Sequence, residues 1–219
     1  RKIQMFISQI SETEYDNLSV HGKHKLERID LSAARMRNLI QDLLTYGYNE
    51  NLENSMMNVS LNKMVDDVKD VLSEELKESN TVLKVLSDCM ITVRPIQFKQ
   101  LLFNLFTNAI KFTKNKEFPS IEVNGEIIEG AAYPNLNLSV ETKYTRIVVA
   151  DNGIGFEQKY ATKVFEIFQR LHSNEEYQGT GIGLAIAKRI VLTHRGQISV
   201  ESSPGNGATF EIFIPLAEL

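Results

Sequence analysis

Six apolar residues, Leu26, Ile29, Ala33, Met36, Ile40 and Leu43, follow one another at spacings of 3, 4, 3, 4 and 3. That alternation keeps one stripe of a helix apolar, as in coiled coils and helix bundles. Upstream, Ile3, Phe6, Ile7 and Ile10 make a second stripe at helical spacing, and a polar stretch over 14–22 separates the two. Residues 1–48 contain no proline and close at Gly47, so they are predicted to form an antiparallel helical hairpin. Two helices alone have too little core to stand. The hairpin is therefore expected to pair with a second copy as a four-helix bundle; packing on the next domain within one globule is the alternative.

The remaining chain must supply its own core, and 42% hydrophobic residues in 219 are enough for one. A net charge of −4 argues against a nucleic-acid partner, which takes a basic face. No apolar run approaches the roughly 20 residues of a membrane span, so no membrane contact is expected from these residues. One cysteine, Cys89, leaves no intrachain disulfide and fits a reducing, cytoplasmic setting. The chain opens at Arg1 inside a helical pattern and reads as a piece of something longer.

Residues 49–58 are polar, rich in asparagine and aperiodic, and read as a linker. A second domain is expected over 59–219. Its helical patterns cover 61–76, 98–112 (with Pro95 at a possible helix start), 162–171 and 184–193. Its strand-like runs cover 82–86, 90–93, 121–128, 145–150, 198–201 and 209–214, the last two joined by Ser-Pro-Gly-Asn-Gly. The mixture predicts an α+β fold, a two-layer α/β sandwich with helices on one face of a sheet.

Three motifs carry chemistry. Asn104 and Asn108 are four apart on one helix face, with Lys111 three further on. An amide oxygen suits a hard cation such as Mg²⁺, and a lysine offsets phosphate charge. Taken alone, the pair reads as two surface amides. Asp-Asn-Gly-Ile-Gly-Phe follows the strand-like run 147–150; it permits a tight backbone path and offers Asp151 to an exocyclic amine, and a simple Asx turn explains it as well. Gln-Gly-Thr-Gly-Ile-Gly-Leu over 178–184 opens a helix with free backbone N–H groups, which makes an anion site. It lacks the Gly-Lys-Ser/Thr ending of a Walker A loop and follows a polar loop rather than a strand.

In order, Asn-x-x-x-Asn with Lys111, the Asp151 motif, Val-Phe-Glu-Ile-Phe-Gln-Arg-Leu, Gly-Thr-Gly-Ile-Gly-Leu and Gly-Asn-Gly-Ala-Thr-Phe resemble the N, G1, F, G2 and G3 boxes of the histidine kinase catalytic domain, a member of the GHKL ATPases. The resemblance covers 59–219, and residues 1–48 are similar to the family's dimerisation and phosphotransfer hairpin. It implies ATP and Mg²⁺ as cofactors. It implies Asp151 at the adenine amino group, with Gly153 and Gly155 beneath the base, Phe112 lining base or ribose, and Thr209 supporting the pocket near Asp151. Asn108 would hold the metal, with Asn104 and Lys111 beside it. Gly179, Thr180, Gly181, Gly183 and Leu184 would pass close to the phosphates. Phe165 and Phe168 would anchor a lid over 173–183, and Arg170 would reach the γ-phosphate. Implied partners are a second copy through the hairpin and a response-regulator receiver domain.

One departure stands out. The family's accepting histidine lies on the first dimerisation helix, and residues 1–13 contain none. The family pattern places it about two turns upstream of Arg1, at ~3.6 residues per turn. The chain is thus expected to bind ATP without phosphorylating itself. His21 and His24 lie by the hairpin loop, and His172 and His194 read as structural or surface residues. Gyrase-like ATPases of the same group carry a hydrolytic glutamate one turn before the metal-binding asparagine, where Asn104 stands here. A scaffold that binds no nucleotide is the remaining alternative.

Overall fold

The computed structural model describes residues 2–30, 32–33, 55–113, 117–134, 136, 138–171 and 180–216. Met36, Ile40 and Leu43 of the heptad stripe, Gly47, most of the linker, His172 and the polar stretch up to Gly179 lie outside the described residues. Two compact units divide the chain, Arg1–Gly47 and Tyr48–Leu219. In the first, helix α1 (Lys2–Thr13) leads through a 3-10 turn at Tyr15–Asn17 to helix α2 (20–30). Ile7 is buried with Leu26 and Ala33, and Tyr15 and Leu18 close the cluster. Met5, Phe6, Ile10 and Ile29 stay exposed in the single chain.

The second unit begins with strand β1 (Met57–Ser60), which pairs antiparallel with β3 (Met90–Val93). The aperiodic stretch 49–58 therefore ends two residues inside a strand. Ser60 caps helix α3 (Leu61–Val71), its hydroxyl accepting from Lys63 N–H at 3.2 Å and donating to Asp88. The continuous helical pattern over 61–76 is broken at Leu72, and α4 (Ser73–Glu78) starts afresh. Leu72 is 1% exposed, so the bend keeps an apolar residue in the core while the axis turns.

The main sheet has the order β2-β4-β5-β7-β6, from β2 (Val82–Ser87), β4 (Ser120–Glu129), β5 (Lys143–Asp151), β6 (Gln197–Ser202) and β7 (Ala208–Pro215). β2 and β4 run parallel and the other neighbours antiparallel. Helices α3, α5 (Pro95–Thr113) and α6 (Gly183–Thr193) cover one face, burying Ile121, Val123, Ile147, Val149, Phe210 and Ile212. The helical pattern at 162–171 contracts to one 3-10 turn, Lys163–Phe165.

The opposite face is partly roofed. The β4–β5 connection folds back so that Tyr133 meets Phe213 edge-on, ring centroids 5.2 Å apart, and Phe213 is fully buried. Arg146 stacks over Tyr133 at 5.6 Å and pairs with Glu126 and Glu211.

His194, 3% exposed, joins the far ends of α5 and α6. Its Nδ1–H donates to the Ile190 carbonyl at 2.7 Å, and its Nε2 accepts the Arg94 N–H at 2.9 Å. Only the neutral ring can do both. Burial pushes its pKa below the ordinary 6.5, against a smaller pull upward from the Ile190 bond. Below about pH 6.5 the unfolded chain takes the proton first. Stability is therefore complete above that pH and falls as pH drops through the window beneath it. His194→Ala should cost about 1–3 kcal/mol by leaving the part-buried Arg94 N–H without its acceptor and should flatten this pH dependence, as denaturant titrations at several pH values will show.

Candidate functional site

One end of the helix layer gathers most of the residues singled out above. Asn104, Asn108 and Lys111 lie along the C-terminal half of α5. Asn104 is buried, its Oδ1 accepting from Gln100 at 3.2 Å, and its Nδ2 has no hydrogen-bond partner. It faces the start of α6, because a Cβ built on Gly183 would stand 3.7 Å from Asn104 Oδ1. Asn108 is half-buried one turn on. Lys111 lies with its Nζ 4.7 Å from the Phe112 ring centroid. Burial pushes its pKa down to about 8, and the neighbouring Arg170 guanidinium adds to the shift. Two cations and an unsatisfied amide thus lie near a helix N-terminus, an electropositive and donor-rich grouping.

Asp151 ends β5 with its carboxylate half-buried. Oδ1 accepts from Gly153 N–H at 2.8 Å and Ala208 N–H at 3.3 Å; among the described residues nothing donates to Oδ2. Burial pushes the carboxyl above its ordinary range, and the two N–H bonds partly offset this. The glycines beside it have no room for side chains. A Cβ on Gly153 would fall 2.8 Å from the Phe112 carbonyl oxygen, and one on Gly155 (φ +59°) would fall 2.1 Å from the Ser203 carbonyl oxygen. Phe112 also accepts from Ile154 N–H at 3.1 Å, which ties this loop to the end of α5.

Not every predicted residue converges. Gly179 lies outside the described residues; Thr180 and Leu184 are half-buried at the start of α6. Gly181 holds φ +73°, and its carbonyl accepts from Phe168 N–H at 2.9 Å. Phe165 is buried edge-on to Phe210, whereas Phe168 is 57% exposed with φ +66°. Thr209 requires a correction. Ala208 pairs with Asp151 and Thr209 with Ala150, and successive strand residues point to opposite faces. The Thr209 side chain therefore lies on the opposite sheet face from Asp151, beside Glu201, in a cleft of about 480 Å³ that Gln158, Ser202 and Gly207 also line. Ala208, one residue earlier, occupies the place beside Asp151.

Sequence reasoning passed over Gly207 and Asn152. A Cβ on Gly207 (φ +78°) would fall 1.9 Å from the Asp151 carbonyl oxygen. Gly207 is the second glycine of the turn and of the Gly-Asn-Gly-Ala-Thr-Phe motif, which by itself assigns it no role. Asn152 clamps the strand end, donating to the Phe118 carbonyl at 2.7 Å and accepting from Ser120 N–H at 2.9 Å.

Residues 93–218 match the family of histidine kinase-, DNA gyrase B-, and HSP90-like ATPases. The chain belongs to that family. The chain is 34% identical to the phytochrome-like protein Cph1 of Synechocystis sp. over 95% of its own length and 26% of the relative's. It thus spans about a quarter of the length of the curated relatives it matches. Among solved structures, full-length ShkA in complex with AMPPNP is similar over 99% of this chain and 43% of that one, with TM-score 0.68 and 21% identity. Histidine kinase ThkA in complex with the response regulator TrrA is similar over 98% and 57%, with TM-score 0.66 and 20% identity. At these identities the two structures establish the fold. No helix among the described residues is long and apolar enough to cross a membrane.

Proposed function

We propose that this chain is the core of a sensor histidine kinase: it binds Mg-ATP, and the γ-phosphoryl group is destined for a histidine on the dimerisation helix and then for a response-regulator aspartate. The observation that carries the reading is Asp151, a half-buried carboxylate whose Oδ1 is committed to two backbone amides, which leaves Oδ2 for the adenine amino group. Gly153 and Gly155 admit a flat base, and Phe112 flanks it. Lys111, Arg170 and the N-terminus of α6 would meet the phosphates. Among the described residues no cluster of His, Cys, Asp or Glu is set to hold a metal. The Asn108 amide oxygen fits Mg²⁺, which takes its other ligands from phosphates and water; the ion supplies charge neutralisation when bound, with Asn104 beside it. Positioning and charge are what phosphoryl transfer asks of a protein.

The partner readings rest on other observations. Met5, Phe6, Ile10 and Ile29 are exposed on the hairpin, and a second copy would cover them in a four-helix bundle. ThkA with TrrA is the precedent for a response-regulator partner. The helix Lys2–Thr13 contains no histidine, so this chain is expected to bind ATP without forming an acid-labile phosphohistidine of its own.

Calorimetric titration of ATP, with and without Mg²⁺, tests the assignment. Asp151→Asn should weaken binding by about tenfold or more, the loss of a hydrogen bond to a charged group being worth about 1.5–3 kcal/mol. Equal affinity of variant and wild type would remove the adenine assignment. Phosphates bound beside Lys111 favour its charged form, so binding should take up a proton around pH 8, and affinity should fall as pH rises past that value. An affinity flat from pH 7 to pH 9.5 would place the phosphates elsewhere.

A further inference from the structure

Asp151, Ala208 and Ser202 stand in one cross-strand row, Asp151 opposite Ala208 and Ala208 opposite Ser202. Ser202 is polar at a position where the row turns toward the helices. Its hydroxyl has a single donor, given to the Gly207 carbonyl at 2.7 Å, and it accepts the Phe156 N–H at 2.9 Å. One side chain thus joins the loop after Asp151 to the β6–β7 turn. Gln158 ties the following 3-10 turn to strand β6, donating to the Val200 carbonyl at 3.1 Å and accepting from Ser202 N–H at 2.8 Å, and so holds Ser202 in place. Gly205 N–H closes a further bond on the Ile154 carbonyl at 2.6 Å. The clamped segments are the ones that shape the ground around Asp151. Gly207 packs against the Asp151 carbonyl, and Gly155 against the carbonyl oxygens of Ser203 and Gly207.

We infer that Ser202 is a positioning residue for base recognition: by bridging Phe156 N–H and the Gly207 carbonyl it sets the loop–turn spacing that lets Asp151 distinguish a 6-amino purine from other bases. The inference rests on the adenine reading of Asp151. No contact between Ser202 and nucleotide is involved. Removing its hydroxyl leaves one donor and one acceptor unmatched on opposite sides of the clamp, so the loop relaxes relative to β7. The Ala208 N–H bond to Asp151, already 3.3 Å, is the contact with least slack. Phosphate binding on α5 and α6 is outside this clamp.

The test compares Mg-ATP with Mg-ITP, in which a carbonyl replaces the 6-amino group, by calorimetry on the whole chain. Wild type should prefer ATP, and Asp151→Asn should erase the preference. Ser202→Ala should lower the ATP-to-ITP affinity ratio by about tenfold, the worth of one hydrogen bond, with ITP affinity nearly unchanged. Ser202→Thr, which keeps the hydroxyl, should restore the ratio. Gln158→Ala, at an exposed position, should move it in the same direction and covers the case in which Ser202→Ala does not fold. Equal weakening toward both nucleotides would mean that Ser202 only stabilises the fold, and the inference is overturned. If Asp151→Asn collapses the ratio and neither Ser202→Ala nor Gln158→Ala changes it, the inference fails and the adenine pocket stands. An unaltered ratio in Asp151→Asn would bring down both.

Discussion

Gly207→Ala should abolish measurable ATP binding at micromolar nucleotide and destabilise the catalytic unit by about 2–4 kcal/mol, the range for forcing a side chain into a left-handed, crowded backbone position. Two causes act together. At φ +78° an alanine is strained, and its Cβ would fall 1.9 Å from the Asp151 carbonyl oxygen. Backbone is the obstacle, so no side chain can swing aside, and either β7 or the end of β5 must move. Movement of β5 displaces Asp151 itself, which couples the stability loss to the binding loss. Gly205→Ala is the matched control. It has φ +84° and no atom within 4 Å of a new Cβ, so it should lose only about 1 kcal/mol for the backbone conformation and keep its nucleotide. Urea titrations with unchanged slope, beside calorimetry, separate the two. Equal behaviour of both variants would show that the contact with Asp151 is unimportant.

Phe213→Ala should cost about 3–5 kcal/mol, the range for a fully buried aromatic, although Phe213 is on the sheet face turned away from the helices. Arg146 pairs with Phe213 across β5 and β7, so both occupy the outer face. Burial there comes from the β4–β5 connection, whose Tyr133 meets Phe213 edge-on while Arg146 covers Tyr133. Losing the ring removes the floor beneath Tyr133, and the near-ultraviolet tyrosine signal should weaken along with the urea midpoint. A loss under about 1 kcal/mol, the level of a surface change, would mean that the roof carries little stability.

These two positions mark what reading along the chain could and could not reach. The helix carrying Asn104, Asn108 and Lys111 was readable because its period is local, and the glycine motifs were readable because their composition is unusual. Phe213 sits in a run, Phe-Ile-Pro, whose alternation promises a solvent-facing ring; only the folded-back connection, with no periodicity of its own, buries it. The motif resemblance puts Thr209 near Asp151 but does not say which sheet face its side chain takes, because strand parity needs a register, and register is a property of partners distant in sequence. Ala208 N–H and Gly207 act through backbone, which leaves little trace in residue type. The linker reading over 49–58 takes in the first two residues of β1, since a strand of only four residues, Met57–Ser60, leaves little pattern. The helix over 61–76 was read as continuous because Leu72 is a good helix former, and tertiary packing overrode that preference.

The order of the main sheet leaves β2 at one margin, where among the described residues no further strand pairs with its outer side. Along its outward row Val82 and Leu86 are 50% and 60% exposed, with Lys84 between them. A bare strand margin is a template for other chains, and an intervening lysine is a common deterrent. Lys84 stands where such a deterrent would act, its charge between two exposed apolar side chains opposing sheet-to-sheet joining of concentrated copies of this unit. Acetylation at that one nitrogen would remove the deterrent without touching the pocket.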